Sequence, residues 1–308
     1  MRAKLAIPAV AAALVGLTAC DIEDFGGLRY SRDFHYAYTL NAGGHVSVET
    51  FNGSVEVTGW DQNTVDISGT KYGPSQAEAD DLPVSIDHSP NAVSILVERP
   101  SDRRGNRGAR LVIKIPRTAV LDRVNSSNGS IRTVDGAGPL RLRTSNGSIR
   151  VENLNGGLDA ETSNSLIEVS AVQGDLTLHT SNGSIHATDF RGALNAHTSN
   201  GMVAATVSAP AASVEIDTNN GSVELTLPAQ YKGDARVDTS NRPITVRMPA
   251  GAGAHLIART SNAQISSDFD LTMTPGEFSR NRVDAMIGGG GATLDLTTSN
   301  GSIRVLRM

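Results

Sequence analysis

A six-residue phrase, Thr-Ser-Asn-Gly-Ser-Ile, recurs at regular spacing and constrains the fold of this chain more than any other feature. It stands intact at residues 144–149, 180–185 and 298–303. Looser copies surround Asn52, Asn128, Asn164, Asn200, Asn220, Asn241 and Asn262. From Asn128 to Asn262 the central asparagines are 18, 20 or 21 residues apart. The last interval, to Asn300, is 38 residues, about two periods. Repetition at a fixed period is typical of folds in which each unit packs on its neighbours.

Alignment of the repeats on the asparagine reveals two stretches of alternating apolar and polar residues. The position three residues after the asparagine is Ile or Val in every repeat. Apolar residues also fill most positions four and six residues before it, and a threonine two residues before it has the same parity. Alternation with period two predicts strands with one buried face. Each repeat therefore contains two short strands.

These columns predict an all-β fold, a parallel β-helix or solenoid with rungs of about 18–21 residues and an N-terminal β-rich cap. A hairpin meander is the alternative. Identical residue types recurring at one period stack well when rungs lie ~4.8 Å apart, which favours the solenoid. The long interval before Asn300 predicts a divergent rung or a cover for the C-terminal end.

The Ser-Asn-Gly segment is interpreted as the corner that closes each rung. Asparagine tolerates a left-handed corner, the following glycine gives the corner its freedom, and stacked amides can bond from rung to rung. A structural role therefore explains the column without a ligand. The residues assigned to these structural turns are Asn128, Gly129, Asn146, Gly147, Asn182, Gly183, Asn300 and Gly301.

The start of the chain has the features of a secretory signal. Arg2 and Lys4 precede an apolar run too short to span a bilayer, and the run ends in Leu-Thr-Ala followed by Cys20, the one cysteine of the chain. This sequence resembles the lipobox of bacterial lipoproteins, which implies a covalent lipid on Cys20 and no other cofactor. The alternative is an ordinary signal peptide with an incidental cysteine. A lone cysteine excludes an internal disulfide.

Four segments follow from these features: a lipoprotein signal peptide at 1–19, a lipidated tether at 20–33, an N-terminal β region or cap at 34–125, and the solenoid at 126–308. Eight of the twelve aromatic residues precede residue 73, and we expect them to help close the N-terminal end of the core. The lipid anchor predicts a membrane-bound protein of the cell envelope. Asp21 resembles a retention signal and favours the inner over the outer membrane.

The Asn-Gly-Ser-Ile rungs, the strand-proline arms at Leu227-Pro228 and Met248-Pro249, and the glycine run at 288–291 resemble the bacterial family called putative adhesins. That family is a β-strand-repeat domain of unknown function, and the resemblance covers about residues 40–308. It implies the fold, and it brings no catalytic residues with it.

The outward positions of the predicted strands are the places where specificity could lie. His179, His197 and Asp217 are expected in one row, about one rung apart, as a weak candidate metal site. With no fourth ligand evident, we predict a solvated row and no metal. A basic cluster is also expected on the first rungs, close to the acidic residues Glu152, Asp159 and Glu161; it contains Arg132, Arg141, Arg143 and Arg150.

The sequence favours a non-catalytic cell-envelope lipoprotein, an adhesin or surface-binding scaffold. Its expected partners are the membrane, through the lipid anchor, and an envelope protein or glycan. A formal net charge of −5 and the lack of a strongly basic face argue against nucleic acid. Two alternatives stay open: a β-helix enzyme acting on polysaccharide, which needs convergent carboxylates, and an accessory protein that senses or regulates envelope stress.

Overall fold

The computed structural model describes residues 30–101, 106–210, 212–273 and 279–308. The predicted signal peptide, Cys20 and the tether up to residue 29 lie outside these residues. Strand β1 begins at Tyr30, so the last four residues of the predicted tether belong to a strand. Among the described residues the single helix has five residues, and no helix could cross a membrane.

The described chain is almost entirely β-structure, as the alternation predicts. Helix α1 spans Gln76–Asp80. In chain order the strands are β1 (Tyr30–Thr39), β2 (His45–Glu49), β3 (Val55–Trp60), β4 (Thr64–Gly73), β5 (Val84–Ser89), β6 (Ala92–Val97), β7 (Gly108–Pro116), β8 (Val120–Asn125), β9 (Ile131–Ala137), β10 (Leu140–Arg143), β11 (Ile149–Asn155), β12 (Leu158–Thr162), β13 (Ile167–Gln173), β14 (Leu176–Thr180), β15 (Ile185–Phe190), β16 (Leu194–Thr198), β17 (Val203–Val207), β18 (Val214–Thr218), β19 (Val223–Thr226), β20 (Ala235–Thr239), β21 (Ile244–Met248), β22 (Ala254–Thr260), β23 (Ile265–Ser267), β24 (Leu271–Met273), β25 (Arg282–Ile287), β26 (Ala292–Thr298) and β27 (Ile303–Arg307).

The strands form two sheets that face each other across one core. Sheet 1 has the order β1-β4-β7-β3-β9-β11-β13-β15-β17-β19-β21-β27-β23, and sheet 2 has the order β24-β25-β22-β26-β20-β18-β16-β14-β12-β10-β8-β2-β6-β5. From β7 to β23 in sheet 1, and from β6 to β22 in sheet 2, every neighbouring pair is parallel. The parallel solenoid is thereby confirmed.

From β8 onward, each rung consists of one strand of sheet 2, a corner centred on an asparagine and the next strand of sheet 1. Successive rungs pair residue on residue at the repeat period: Ile149 lies opposite Ile131 and Ile167, and Leu158 opposite Leu140 and Leu176. The inward columns of both sheets are buried, so a continuous apolar core runs the length of the stack. The two sheets pass through both the predicted cap and the predicted repeat region.

The order of the rungs departs from chain order at both ends of the stack. The last repeat of the chain, β26 and β27, lies between the rungs of Asn241 and Asn262. At the other end, β2 and β3 lie between the rung of β6 and β7 and the rung of β8 and β9. In both places one rung is inserted between two others, so the strand that ends the chain has a partner on each side.

Antiparallel strands extend sheet 1 at the N-terminal end and sheet 2 at both ends, whereas β23, parallel to β27, ends sheet 1 at the C-terminal end. At the N-terminal end β4 and β1 extend sheet 1, and β5 extends sheet 2. At the C-terminal end β25 and β24 extend sheet 2. The long interval before Asn300 therefore supplies a cover, one of the two outcomes that the sequence allowed. The antiparallel strands give hydrogen-bond partners to rung edges that would otherwise be open.

The corner asparagines form a ladder along one edge of the rod. Each side-chain amide donates Nδ2–H to Oδ1 of the asparagine on the neighbouring rung, at 2.7–2.9 Å. The ladder connects nine rungs in the spatial order Asn128, Asn146, Asn164, Asn182, Asn200, Asn220, Asn241, Asn300 and Asn262. These side chains are already bonded to one another, so the repeated polar edge has little capacity left for a ligand.

A second, buried ladder runs behind the amides. The threonine two residues before each asparagine is at most 6% exposed. In the rung of Asn200, Thr198 donates its hydroxyl to the Gly183 carbonyl of the preceding rung at 3.0 Å and accepts the Gly201 N–H at 3.2 Å. This acceptance of the corner N–H recurs at each corner that has glycine from Gly129 onward, with Ser126 in place of threonine at the first. The hydroxyl thus gives hydrogen-bond partners to a corner N–H and a corner carbonyl, two buried backbone groups outside the ladders of the sheets.

The prediction of a left-handed conformation at the asparagines is wrong. Among the described residues, the non-glycine residues with positive φ lie at the opposite corner, where sheet 1 returns to sheet 2: Asp135, Asn153, Ala171 and Asp189, with φ between 50° and 57°. The glycine after the asparagine has a different cause. A Cβ at Gly183 would lie 1.7 Å from the Ser165 carbonyl oxygen, and a Cβ at Gly201 1.7 Å from that of Gly183. Close approach of successive rungs therefore selects glycine.

Gly183→Ala is expected to destabilise the protein by about 1–3 kcal/mol, because the added methyl overlaps the backbone carbonyl of Ser165 and the corner must shift to admit it. Ser165→Ala is the matched control, since Ser165 occupies the same corner position one rung away and already has a Cβ. The control loses the hydrogen bond from Ser165 Oγ to the Asn146 carbonyl, worth roughly 1 kcal/mol or less. Urea denaturation followed by far-UV circular dichroism would measure both. Equal losses would contradict the steric explanation.

Thr198→Val should cost about 1–3 kcal/mol, because the isosteric side chain leaves the Gly201 N–H and the Gly183 carbonyl without the hydroxyl that satisfies them. Thr198→Ser retains the hydroxyl and should remain closer to the wild type. The same denaturation experiment compares the two. A valine variant as stable as the serine variant would show that the buried hydroxyl ladder contributes nothing.

Candidate functional site

The predicted metal row is formed by neighbouring strands on the outer face of sheet 2. In β14, β16 and β18, His179 lies opposite His197, and His197 opposite Asp217. The imidazole rings stack with centroids 5.0 Å apart and planes within 3° of parallel, and His197 Nδ1 is 3.7 Å from Asp217 Oδ1. The structure thus brings together all three residues of the row.

Stacking of the two rings is unfavourable for a shared metal ion. A nitrogen lone pair lies in the plane of its ring, so two parallel stacked imidazoles direct their lone pairs into separate planes. Zinc requires nitrogen ligands converging at about 2.0–2.1 Å. In the parts of the chain that the structure describes, no group of three His, Cys, Asp or Glu side chains is arranged to hold a metal ion. The row presents aromatic and acidic surface to solvent.

The predicted basic cluster is divided between the two faces of the rod. Arg132 and Arg150 lie on sheet 1, whereas Arg141 and Arg143 lie on sheet 2. Each arginine contacts a carboxylate on a neighbouring rung. Arg132 bonds Glu56 at 3.0 Å and Glu152 at 3.1 Å, Arg141 bonds Asp159 at 3.1 Å, Arg143 bonds Glu161 at 2.9 Å, and Arg150 pairs with Glu168. Exposed pairs contribute little to stability. They do neutralise the faces, which leaves no concentrated positive charge for a polyanion.

The corner opposite the asparagine ladder carries its own polar contacts. Asp135, in the left-handed conformation, accepts hydrogen bonds from Asn153 Nδ2 at 2.5 Å and pairs with Arg117 at 2.7 Å. The Asn153 hydrogen bond, followed by the Arg117 guanidinium, holds the pKa of Asp135 below its ordinary value. This carboxylate is therefore ionised near neutral pH and suits a structural bond better than proton transfer.

A concavity of about 490 Å³ lies on the outer face of sheet 1 near the N-terminal end, on β1, β4 and β7. Its lining residues are Asp33, Phe34, His35, Ser68, Gly69, Thr70, Arg110 and Val112. His35 Nε2 is 2.7 Å from Asp66 Oδ2, and the Thr70 hydroxyl donates to Asp33 at 2.7 Å. The lining combines hydroxyl, carboxylate, imidazole and guanidinium groups with the apolar side chain of the half-exposed Val112. This combination suits a polar ligand such as a sugar.

Sequence reasoning missed this concavity. Residues 30–33 resemble a polar tether, and the pairing of β1 with β4 joins positions 37 residues apart, as between Asp33 and Thr70. The available signal was the alternation through Tyr30, Arg32 and Phe34, which continues that of the predicted strand at its N-terminal side.

Aromatic side chains line the N-terminal end of the core, in agreement with the clustering of aromatics early in the chain. Tyr36 lies opposite the buried Ile67, and Tyr38 opposite the buried Val65, so both rings are on the core side of sheet 1. The rings form a row: Phe34 and Tyr36 are 5.9 Å apart, Tyr36 and Tyr38 6.4 Å, and Tyr38 stacks on His88 at 4.1 Å. Tyr36 is still 43% exposed, because the rod ends there.

Comparison with solved structures finds similar chains of bacterial origin at low sequence identity. A protein of Parabacteroides merdae described as a putative adhesin is 10% identical, with 89% of this chain and 96% of that chain covered and a TM-score of 0.36. A putative adhesin of Parabacteroides distasonis is 10% identical, with coverages of 89% and 97% and a TM-score of 0.34. A putative adhesin of Bacteroides fragilis is 11% identical, with coverages of 90% and 97% and a TM-score of 0.30. At this similarity the names describe those proteins alone.

No curated protein matches the chain. A family model does: the one described as Toastrack DUF4097 matches residues 44–243, about two thirds of the chain. The matched region begins one residue before β2 and extends to the corner that precedes β21, so it includes most rungs of the solenoid. The chain therefore belongs to the Toastrack DUF4097 family.

Proposed function

We propose that this protein is a lipid-anchored component of the cell envelope whose rod acts as a non-catalytic surface for binding a partner. One observation carries the proposal: the chain enters the fold at the extreme end of the stack. β1 is the outermost strand of sheet 1, and its first residue, Tyr30, follows Cys20 by ten positions. A lipid on Cys20 would thus hold the rod by one end and leave both faces accessible.

The dimensions support a display role. Nine residues separate Cys20 from Tyr30, and an extended chain of that length reaches about 30 Å. Eleven parallel rungs at ~4.8 Å each give a rod on the order of 50 Å long. Two ladders of side chains and a continuous core make the rod stiff, so its far end would stand at a defined distance from its anchor. Asp21 favours the inner membrane as the site of anchoring.

The concavity on β1, β4 and β7 is the part of the surface best suited to a ligand, and an envelope glycan or protein is the proposed partner. The outer faces are otherwise balanced by ion pairs between rungs. Catalysis on polysaccharide is the alternative, and a glycosidase would need two carboxyl groups about 5–9.5 Å apart flanking a bound sugar. The described carboxylates near the basic rungs bond arginines instead, which favours binding without turnover.

Cys20→Ser is expected to release the protein from the membrane fraction, because the thiol that carries the lipid is lost. Asp21→Ser is the companion variant: it should remain lipidated and move from inner to outer membrane if the residue acts as a retention signal. Fractionation of cell envelopes and the mass of the mature N-terminal peptide would measure both. A Cys20→Ser protein that is as membrane-bound as the wild type would refute the anchor.

Val112→Trp should weaken binding to an envelope glycan by about tenfold or more, because the indole fills the concavity. Thr206→Trp is the control, since it adds the same side chain to an outward position of sheet 1 several rungs away. Binding of the purified protein to a panel of envelope polysaccharides, with product analysis for cleavage, would test the proposal. Turnover that a single surface substitution abolishes would establish an enzyme instead.

A further inference from the structure

Strand β1 offers a long open edge at the N-terminal end of the rod. It has ten residues and, among the described residues, pairs on one side only, with β4. Open backbone donors and acceptors of this length are a template for a further strand. The described edge strands at the C-terminal end, β23 and β24, have three residues each. One end of the rod is thus blunted, whereas the other carries an extended edge rich in aromatic residues.

The two faces of β1 differ in chemistry. The core side carries Arg32, Phe34, Tyr36 and Tyr38, which extend the inner surface of sheet 1 beyond β4. On the outer side, Asp33 lies opposite Thr70 and His35 opposite Ser68. Tyr30 and Tyr36, each 43% exposed, are the large aromatic side chains left most open in the described chain, and both belong to this strand. An occupant of the edge would cover both rings.

We propose that the occupant is β1 of a second copy, paired antiparallel about a two-fold axis through Phe34. Directly opposed residues in an antiparallel pair share a face, so this register sets Phe34 against its own copy and Tyr30 against Tyr38. It also sets Arg32, which already bonds Asp80 of α1 at 3.0 Å within its own chain, against the ring of Tyr36. The exposed aromatics would then be packed in the joint, and sheet 1 would continue from one rod into the next.

Charge complementarity selects this register. On the outer face it places Asp33 of each copy opposite His35 of the other, and the pair occurs twice because of the symmetry. His35 already lies 2.7 Å from Asp66 within its own chain, so the joint would alternate carboxylate, imidazole and carboxylate across three strands. A shift of the axis to His35 would oppose the two histidines and leave Asp33 opposite Ala37. The self-complementary pattern therefore points to a second copy in preference to an unrelated strand.

The dimer would join two rods end to end, with both N-terminal tethers leaving from the joint. β5 is the edge strand of sheet 2 at the same end of the rod. The partner rod would cover its residues Val84, Ile86 and His88. A two-fold contact of this kind is closed and stops at two copies. The inference does not depend on the lipid anchor or on glycan binding.

Oxidation of cysteine variants in intact cell envelopes tests the register. Phe34→Cys should give a reducible dimer on a non-reducing gel, because opposed Cα atoms at the axis lie about 4.5–5.5 Å apart, within the range of a disulfide. Tyr36→Cys is the matched control, since its two copies would be separated by four residues along the strands, about 13 Å. Wild-type protein in a third lane accounts for Cys20. Equal cross-linking of both variants, or none, would overturn the proposed pairing.

Sedimentation equilibrium of the full-length protein in density-matched detergent tests the association itself. We expect a monomer–dimer equilibrium whose dissociation constant rises about tenfold or more in Tyr36→Lys, where each new ammonium faces Arg32 of the other copy. Met286→Lys, at an exposed position of the opposite end, should leave the constant unchanged. A monomer at all concentrations, or a dimer indifferent to Tyr36→Lys, would reject the second copy. Dimerisation only after removal of residues 21–29 would also reject it and would assign the edge to that segment.

Discussion

The parallel pairing of successive rungs at ~4.8 Å is the constraint on which the rest of the rod depends. At this spacing a corner glycine lies so close to the carbonyl of the neighbouring rung that a Cβ has no room, as at Gly147, where the atom would lie 1.9 Å from the Gly129 oxygen. Glycine stands at six of the nine corners from Asn128 onward, and Ser165, Arg242 and Ala263 stand at the other three. The same spacing brings the threonine hydroxyl and the asparagine amide of a rung within hydrogen-bond distance of their neighbours. A backbone ladder, a buried hydroxyl ladder and an exposed amide ladder thus share one register.

A structure made of equivalent rungs must still end somewhere, and both ends use the same solution. The first and the last two-strand rungs along the described chain are each inserted one place inside the stack, where β3 and β27 have parallel partners on both sides. Pairing on both sides satisfies the backbone groups of these strands. The described strands left with one partner are β1, β5, β23 and β24. The edge of β1 is the longest of the four, and it coincides with the aromatic side chains and with the point where the described chain enters the fold.

The repeated phrase forms the architecture of the rod, whereas the variable outward positions make its surface differ from place to place. Thr, Asn and Gly of the corner satisfy one another, so little hydrogen-bonding capacity remains for a ligand. Outward residues such as Arg143 and Glu161 neutralise each other across rungs. The surface therefore differs most from the rest of the rod at the N-terminal end, where β1 and β4 lie outside the repeating rungs. The concavity that we propose as the binding site lies there.

The sequence by itself determined the all-β class, the period of the rungs, the parallel stacking and the burial of the threonine column, because period-two alternation and identical columns depend only on local geometry. It also placed His179, His197 and Asp217 in one row. Only the tertiary structure decided the order of the rungs at the two ends, since a columnar repeat is compatible with insertion at any place in the stack. It likewise assigned the left-handed residues to the opposite corner, divided Arg132 and Arg141 between two faces, and created the concavity and open edge of β1. Those features depend on contacts between residues far apart in the chain, which local patterns do not encode.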